Sequence, residues 1–192
     1  MRSLLLTFGI ASFIFSCSNN ESGKHGGDHR HDSTAIASRD TSKKSIASEV
    51  KKWIGNTDII INYHSPGVRG RVIWGGLVPY AEVWVTGAHN ATTLEVGKDF
   101  QAGDKTIPAG KYALFTIPGK KEWTVIINKN WDQHLADEYA EKDDVVRVKV
   151  KPQTTEEVAE RLKFEIDQTG ERRANIIISW EKIRVPFHIE VR

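Results

Sequence analysis

The 192-residue chain carries 27 Lys and Arg against 25 Asp and Glu, is 39% hydrophobic and contains one cysteine. That length suits about one domain, and the mix of apolar and charged residues excludes both a collagen-like and a wholly disordered polymer. The lone Cys17 rules out an internal disulfide, a cysteine zinc cluster and a redox cysteine pair.

Met1-Arg2-Ser3 is a short basic start, and Leu4 to Phe15 follows as an almost unbroken apolar run. As a helix this run rises about 18 Å, short of the bilayer's apolar core of about 30 Å. Residues 1–16 therefore read as a signal peptide, not a span. Ile14-Phe15-Ser16-Cys17 resembles the bacterial lipobox, in which the cysteine is acylated and becomes the new N-terminus. The resemblance implies a lipid anchor at Cys17 and a membrane partner. The location expected is extracytoplasmic, in the cell envelope of a Gram-negative bacterium, at the outer membrane. A plain secreted protein, or an uncleaved anchor, with Cys17 in its early mature region by chance is the alternative.

Residues 17–48 hold seven Ser and no aromatic residue, too little apolar surface to offset the entropy of ordering them. They read as a disordered Ser/His-rich tether. Within it His25, His29 and His31, with Asp28 and Asp32, form a weak ligand set for a divalent metal, which Lys24 and Arg30 oppose. Asp32-Ser33-Thr34 resembles a bacterial O-glycosylation site.

From residue 49 the pattern is that of an all-β domain. Residues 49–192 carry 21 basic and 21 acidic side chains, and this neutrality, with the export signal, argues against nucleic acid as a partner. Asp58 to Tyr63 and Thr92 to Val96 are strand-like. Lys111 to Ile117 and Glu122 to Asn128 are more continuously apolar, as central strands covered on both faces are. A helix is predicted over Trp131 to Glu141, from the four-residue spacing of Trp131, Leu135 and Tyr139. Val146, Val148 and Val150 then alternate with charged residues. Thr154-Thr155-Glu156-Glu157 has the form of a capping box for a short helical turn. Leu162, Phe164 and Ile166 alternate again, Ala174 to Trp180 is more continuously apolar, and Val185, Phe187, Ile189 and Val191 close the chain at period two. Turn residues such as Gly103-Asp104, Pro108-Ala109-Gly110 and Thr169-Gly170 separate these runs. The fold class expected is an antiparallel two-sheet β-sandwich, jelly-roll or immunoglobulin-like, with one or two short helical segments.

The stretch from Pro66 to Thr93 is the least strand-like. Arg71, Tyr80, Trp84, Thr86, His89 and Asn90 offer guanidinium, aromatic and hydrogen-bonding groups close together in sequence, a reasonable platform for a glycan or peptide ligand. The bland alternative is that Trp74, Trp84 and Trp123 simply fill the core. No Walker A Lys-Ser/Thr follows the glycines, and no Gly-x-Ser-x-Gly elbow is present. His64 and His89 form a weak metal pair, with Asp58 or Glu82 as carboxylate partner. His188 falls on the charged face of its strand.

Gly70-Arg71-Val72-Ile73-Trp74-Gly75-Gly76-Leu77-Val78-Pro79-Tyr80, Val83-Trp84-Val85-Thr86-Gly87-Ala88 and Ala91-Thr92-Thr93 resemble a family of exported bacterial proteins, domain of unknown function 2911. Ile107 to Gly119, Glu122-Trp123-Thr124 and Trp180-Glu181-Lys182 carry the same resemblance. It covers nearly all of residues 50–192 and implies no activity. Where the family pattern has an Arg after Val-Trp and an Asn-Glu pair before Ala-Thr, this chain has Val85, His89 and Asn90. The function expected is a lipid-anchored extracytoplasmic binding module with no firm cofactor. Two alternatives stand beside it: a metal-dependent hydrolase using His64 and His89, and a metal-handling protein using the tether histidines.

Overall fold

The computed structural model describes residues 44–192. The leader, Cys17, and His25, His29 and His31 lie outside the described residues. Ten strands follow in chain order. The first five are β1 (Ser45–Ile54), β2 (Thr57–Pro66), β3 (Thr93–Val96), β4 (Phe100–Ala102) and β5 (Lys105–Ile107). The others are β6 (Gly110–Ile117), β7 (Trp123–Asn128), β8 (Asp144–Val150), β9 (Gln153–Gln168) and β10 (Arg173–Val191). Ser45 to Ser48, read above as the end of the tether, open β1.

Two antiparallel sheets result. One is six-stranded in the order β1-β2-β3-β6-β7-β8, the other four-stranded in the order β5-β4-β10-β9. Side-chain alternation sets which face each strand buries. Along β9, Leu162, Phe164 and Ile166 are buried while Lys163, Glu165 and Asp167 are exposed, because successive side chains of a strand point to opposite faces. Strand β10 doubles back near Glu181, whose φ is 55°. Val191 N donates to Arg172 O at 2.8 Å, and His188 meets Asn175 at 3.3 Å, so its two ends lie side by side. The two apolar runs of the sequence are thus the two arms of one folded ribbon.

Ile59, Ile61, Leu94, Leu114 and Ile127 of the larger sheet meet Phe100, Ile176, Ile178, Phe187 and Ile189 of the smaller in one apolar cluster. Burying each such side chain contributes about 1.5–3 kcal/mol. Four tryptophans extend that cluster. Trp74 packs edge-on against Trp123 at 4.9 Å and against Trp180 at 5.8 Å, and Trp84 stacks on Trp180 at 5.7 Å.

Both expected helices are absent. Residues 131–140 are turns and bends, and Leu135, at φ 51°, sits in the left-handed region that breaks a right-handed helix. Thr154 to Glu157 belong to β9, consistent with the β-branched threonines there. Among the described residues the helical content is one 3-10 turn, Glu141–Asp143, and no helix is long and apolar enough to cross a membrane.

The outer face of the six-stranded sheet positions the site. Over β6 and β7, Ala113, Phe115 and Ile126 are covered by Val85 and Ala91 from one loop and by Ala136 and Tyr139 from another. The cover stops at β3. Strands β1 and β2 keep that face open to solvent, and a step is left where roof meets bare sheet.

Candidate functional site

A groove of about 430 Å³ follows that step. Its floor comes from outward positions of the sheet: Ala47 and Glu49 on β1, Asn62 and His64 on β2, Thr93 on β3 and Lys111 on β6. Register brings them together, since Ala47 pairs with His64, Glu49 with Asn62, and Asn62 with Thr93. Asn90, Ala91, Trp131 and Asp132 supply the wall. Trp131 is 39% exposed and receives the Lys111 ammonium over its ring at 4.2 Å. Thr93 is only 8% exposed, yet its Oγ1 has no hydrogen-bond partner, which is costly for a buried hydroxyl.

His64 and His89 meet at the roof's edge with ring centres 5.2 Å apart and planes at 78°. Burial, and next the neighbouring His89, pushes the His64 imidazole below its ordinary value. Gly87 allows this approach. A Cβ there would stand 3.0 Å from Thr92 Oγ1 and 3.2 Å from His64 O, so a larger residue would lift the loop off β2. His89 itself has φ 64° and is held by Leu135 N donating to its carbonyl at 2.7 Å.

The wall is tied down from behind. Ala91 N donates to Gln133 O at 3.0 Å, and Asn90 bridges to His134. The Tyr139 hydroxyl donates to Asp144 at 2.7 Å, and Asp144 also accepts from Asn128 Nδ2 and Arg147 Nε, each at 2.7 Å. Burial, then the bond to Asp144, holds the Tyr139 hydroxyl up at about 12.

Of the residues picked from the sequence, His64 and Asn90 line the groove, and His89 packs against His64 beside it. The other four go elsewhere, each for a physical reason. Arg71 turns back on its own loop and donates to the carbonyls of Gly67 and Val68. Tyr80 lies against Gly75, where a Cβ would stand 2.9 Å from its ring, so the glycine leaves room for it. Trp84 belongs to the tryptophan cluster and donates Nε1–H to Gly87 O at 3.0 Å. Thr86 is fully buried, with its hydroxyl 3.1 Å from that of Thr116. Asp58 pairs with Lys51 at the far end of β2. Among the described residues no group of three or more His, Cys, Asp or Glu is placed to hold a metal ion.

Sequence reasoning missed Asn62, Thr93, Lys111 and Trp131. Asn62 and His64 sit two apart on one face of a strand, and that period-two polar pair was the available signal. A wider hollow of about 540 Å³ beside β8 and β10 is lined by Lys149, Lys151, His188 and Glu190. Its histidine is already engaged with Asn175, and none of its lining side chains is buried without a partner.

A family model described as protein of unknown function (DUF2911) matches residues 45–189. No curated protein matches the chain, and no solved structure does.

Proposed function

The chain belongs to the DUF2911 family of proteins of unknown function, and from that premise we propose a lipid-anchored, extracytoplasmic binding module whose groove holds a glycan. The observation that carries this is the side-chain set at the step: a half-open indole wall beside Asn62, Asn90, His64 and a buried, unpartnered Thr93 hydroxyl. Sugars present an apolar face for stacking and a rim of hydroxyls that donate and accept, which suits an aromatic ring flanked by amides and a free hydroxyl. The same reading takes the two sheets as a sandwich of the immunoglobulin-like or jelly-roll kind. Acylation at Cys17 would hold the groove near the outer membrane surface.

Calorimetric titration of the chain with a panel of soluble oligosaccharides and short peptides tests the ligand class. Saturable sugar binding that weakens at least tenfold in W131A supports it. Binding of peptides alone would reassign the occupant, and no binding of either would contradict a binding module. For the anchor, C17A is expected to move the protein from the membrane to the soluble fraction, and continued membrane retention would argue against acylation.

A further inference from the structure

We propose that His64 and His89 form a two-imidazole site for a late first-row divalent cation, with the remaining coordination positions open to the groove. The site shares His64 with the glycan reading but needs neither Trp131 nor Thr93, so the two can be tested apart.

Distance is the first support. With metal–nitrogen bonds of about 2.1 Å and near-tetrahedral angles, two imidazoles sharing one ion stand with ring centres about 5 Å apart. The observed separation is 5.2 Å. Neither imidazole makes a hydrogen bond to a described residue, so no ring nitrogen is committed elsewhere. That is unusual for a half-buried His64 and leaves each ring able to present a lone pair. The backbone gives the second support. His89 sits at φ 64° in a region that non-glycine residues rarely occupy, and Leu135 N and the close pass at Gly87 hold it there. Strain of this kind concentrates where geometry serves a ligand.

Charge and donor type choose the cation. Glu49 and Asp132 line the same groove, while the single lining ammonium, Lys111, is drawn aside over Trp131. Two imidazoles with no third protein ligand favour Cu2+ over Ni2+ and Zn2+, and they offer nothing to Mg2+ or Ca2+, which take oxygen ligands. Water, or a donor atom of whatever occupies the groove, completes the sphere.

The full chain carrying H25A, H29A and H31A silences the tether imidazoles. It is titrated with Cu2+, Ni2+, Zn2+ and Mg2+ by calorimetry, and the histidine ring resonances are followed by NMR as Ni2+ is added. The expected result is one equivalent of Cu2+ bound more tightly than Ni2+ or Zn2+, no Mg2+, and broadening of His64 and His89 ahead of His134 and His188. H64A and H89A should each weaken Cu2+ at least tenfold. Unchanged Cu2+ affinity in both variants, or broadening centred on His134 or His188, would overturn the site, as would the absence of Cu2+ and Ni2+ binding. Should H64A fail to fold, H89A on the exposed loop decides alone. Metal bound without sugar, or sugar without metal, separates this site from the glycan reading.

Discussion

Over β6 and β7 the outer face of the six-stranded sheet is roofed. Phe115 meets Tyr139 edge-on at 5.3 Å, and the Tyr139 hydroxyl, Asp144, Arg147 and Asn128 satisfy one another beneath the loop. Over β1 and β2 the same face carries Glu49, Asn62 and His64 with no such cover, and at its border Thr93 of β3 is buried with its hydroxyl unpartnered. Backbone pairing is regular from β1 to β7, with a register shift where β7 meets β8 at Ile127 and Asn128. The halves differ in what their polar side chains have to bond to. At the roof Asp144 has three donors, whereas on the bare side Thr93 Oγ1 is left without a partner.

The largest expected effect falls on the roof. Phe115 is fully buried, so F115A should cost about 3–5 kcal/mol in urea unfolding followed by tryptophan fluorescence. D144A removes the acceptor of three donors in a side chain only 7% exposed, and should cost about 1–3 kcal/mol by the same measurement. On the bare half the expectation reverses. T93V deletes a buried hydroxyl that has no partner, so stability should hold or rise by up to about 1 kcal/mol while sugar affinity falls. A loss of stability as large as that of D144A would show that the two halves do not differ as described.

Two pH limbs complete the series. The Tyr139 hydroxyl is raised from 10.0 to about 12 in the fold. Its contribution is therefore whole below pH 10.0 and drains as pH rises toward 12. Y139F should flatten that alkaline limb. His64 is lowered from 6.5, chiefly by burial, so its contribution is present above pH 6.5 and is lost as pH falls below it. H64Q should remove this acid slope, the smallest of the five effects, without touching the alkaline one.

Much of the fold was legible because period-two patterning is a direct record of which face is wet. The alternations ending in Val150, Ile166 and Val191 all became strands with those residues turned inward. What misled was spacing without context. Trp131, Leu135 and Tyr139 recur every four residues, yet backbone hydrogen bonds from the facing loop, His89 and Ala91 among them, hold that segment as an irregular strap. Trp131 consequently ends up as a groove wall and not as a buried helix face. The site was half legible. His64, His89 and Asn90 announce themselves as chemistry-bearing side chains, whereas Thr93 looks like any strand threonine until its missing partner is seen. Trp84 and Thr86 were misleading for the opposite reason: polar or aromatic in type, they are satisfied inside the fold.

The most direct test of the groove is a backbone amide NMR map of the chain, recorded while a binding oligosaccharide is added. Shifts gathered on Asn62, His64, Asn90, Thr93 and Trp131, with the Arg71 and Tyr80 loop silent, are the predicted result. Shifts centred on that loop or on the hollow beside His188, with the bare half of the sheet unmoved, would contradict the account.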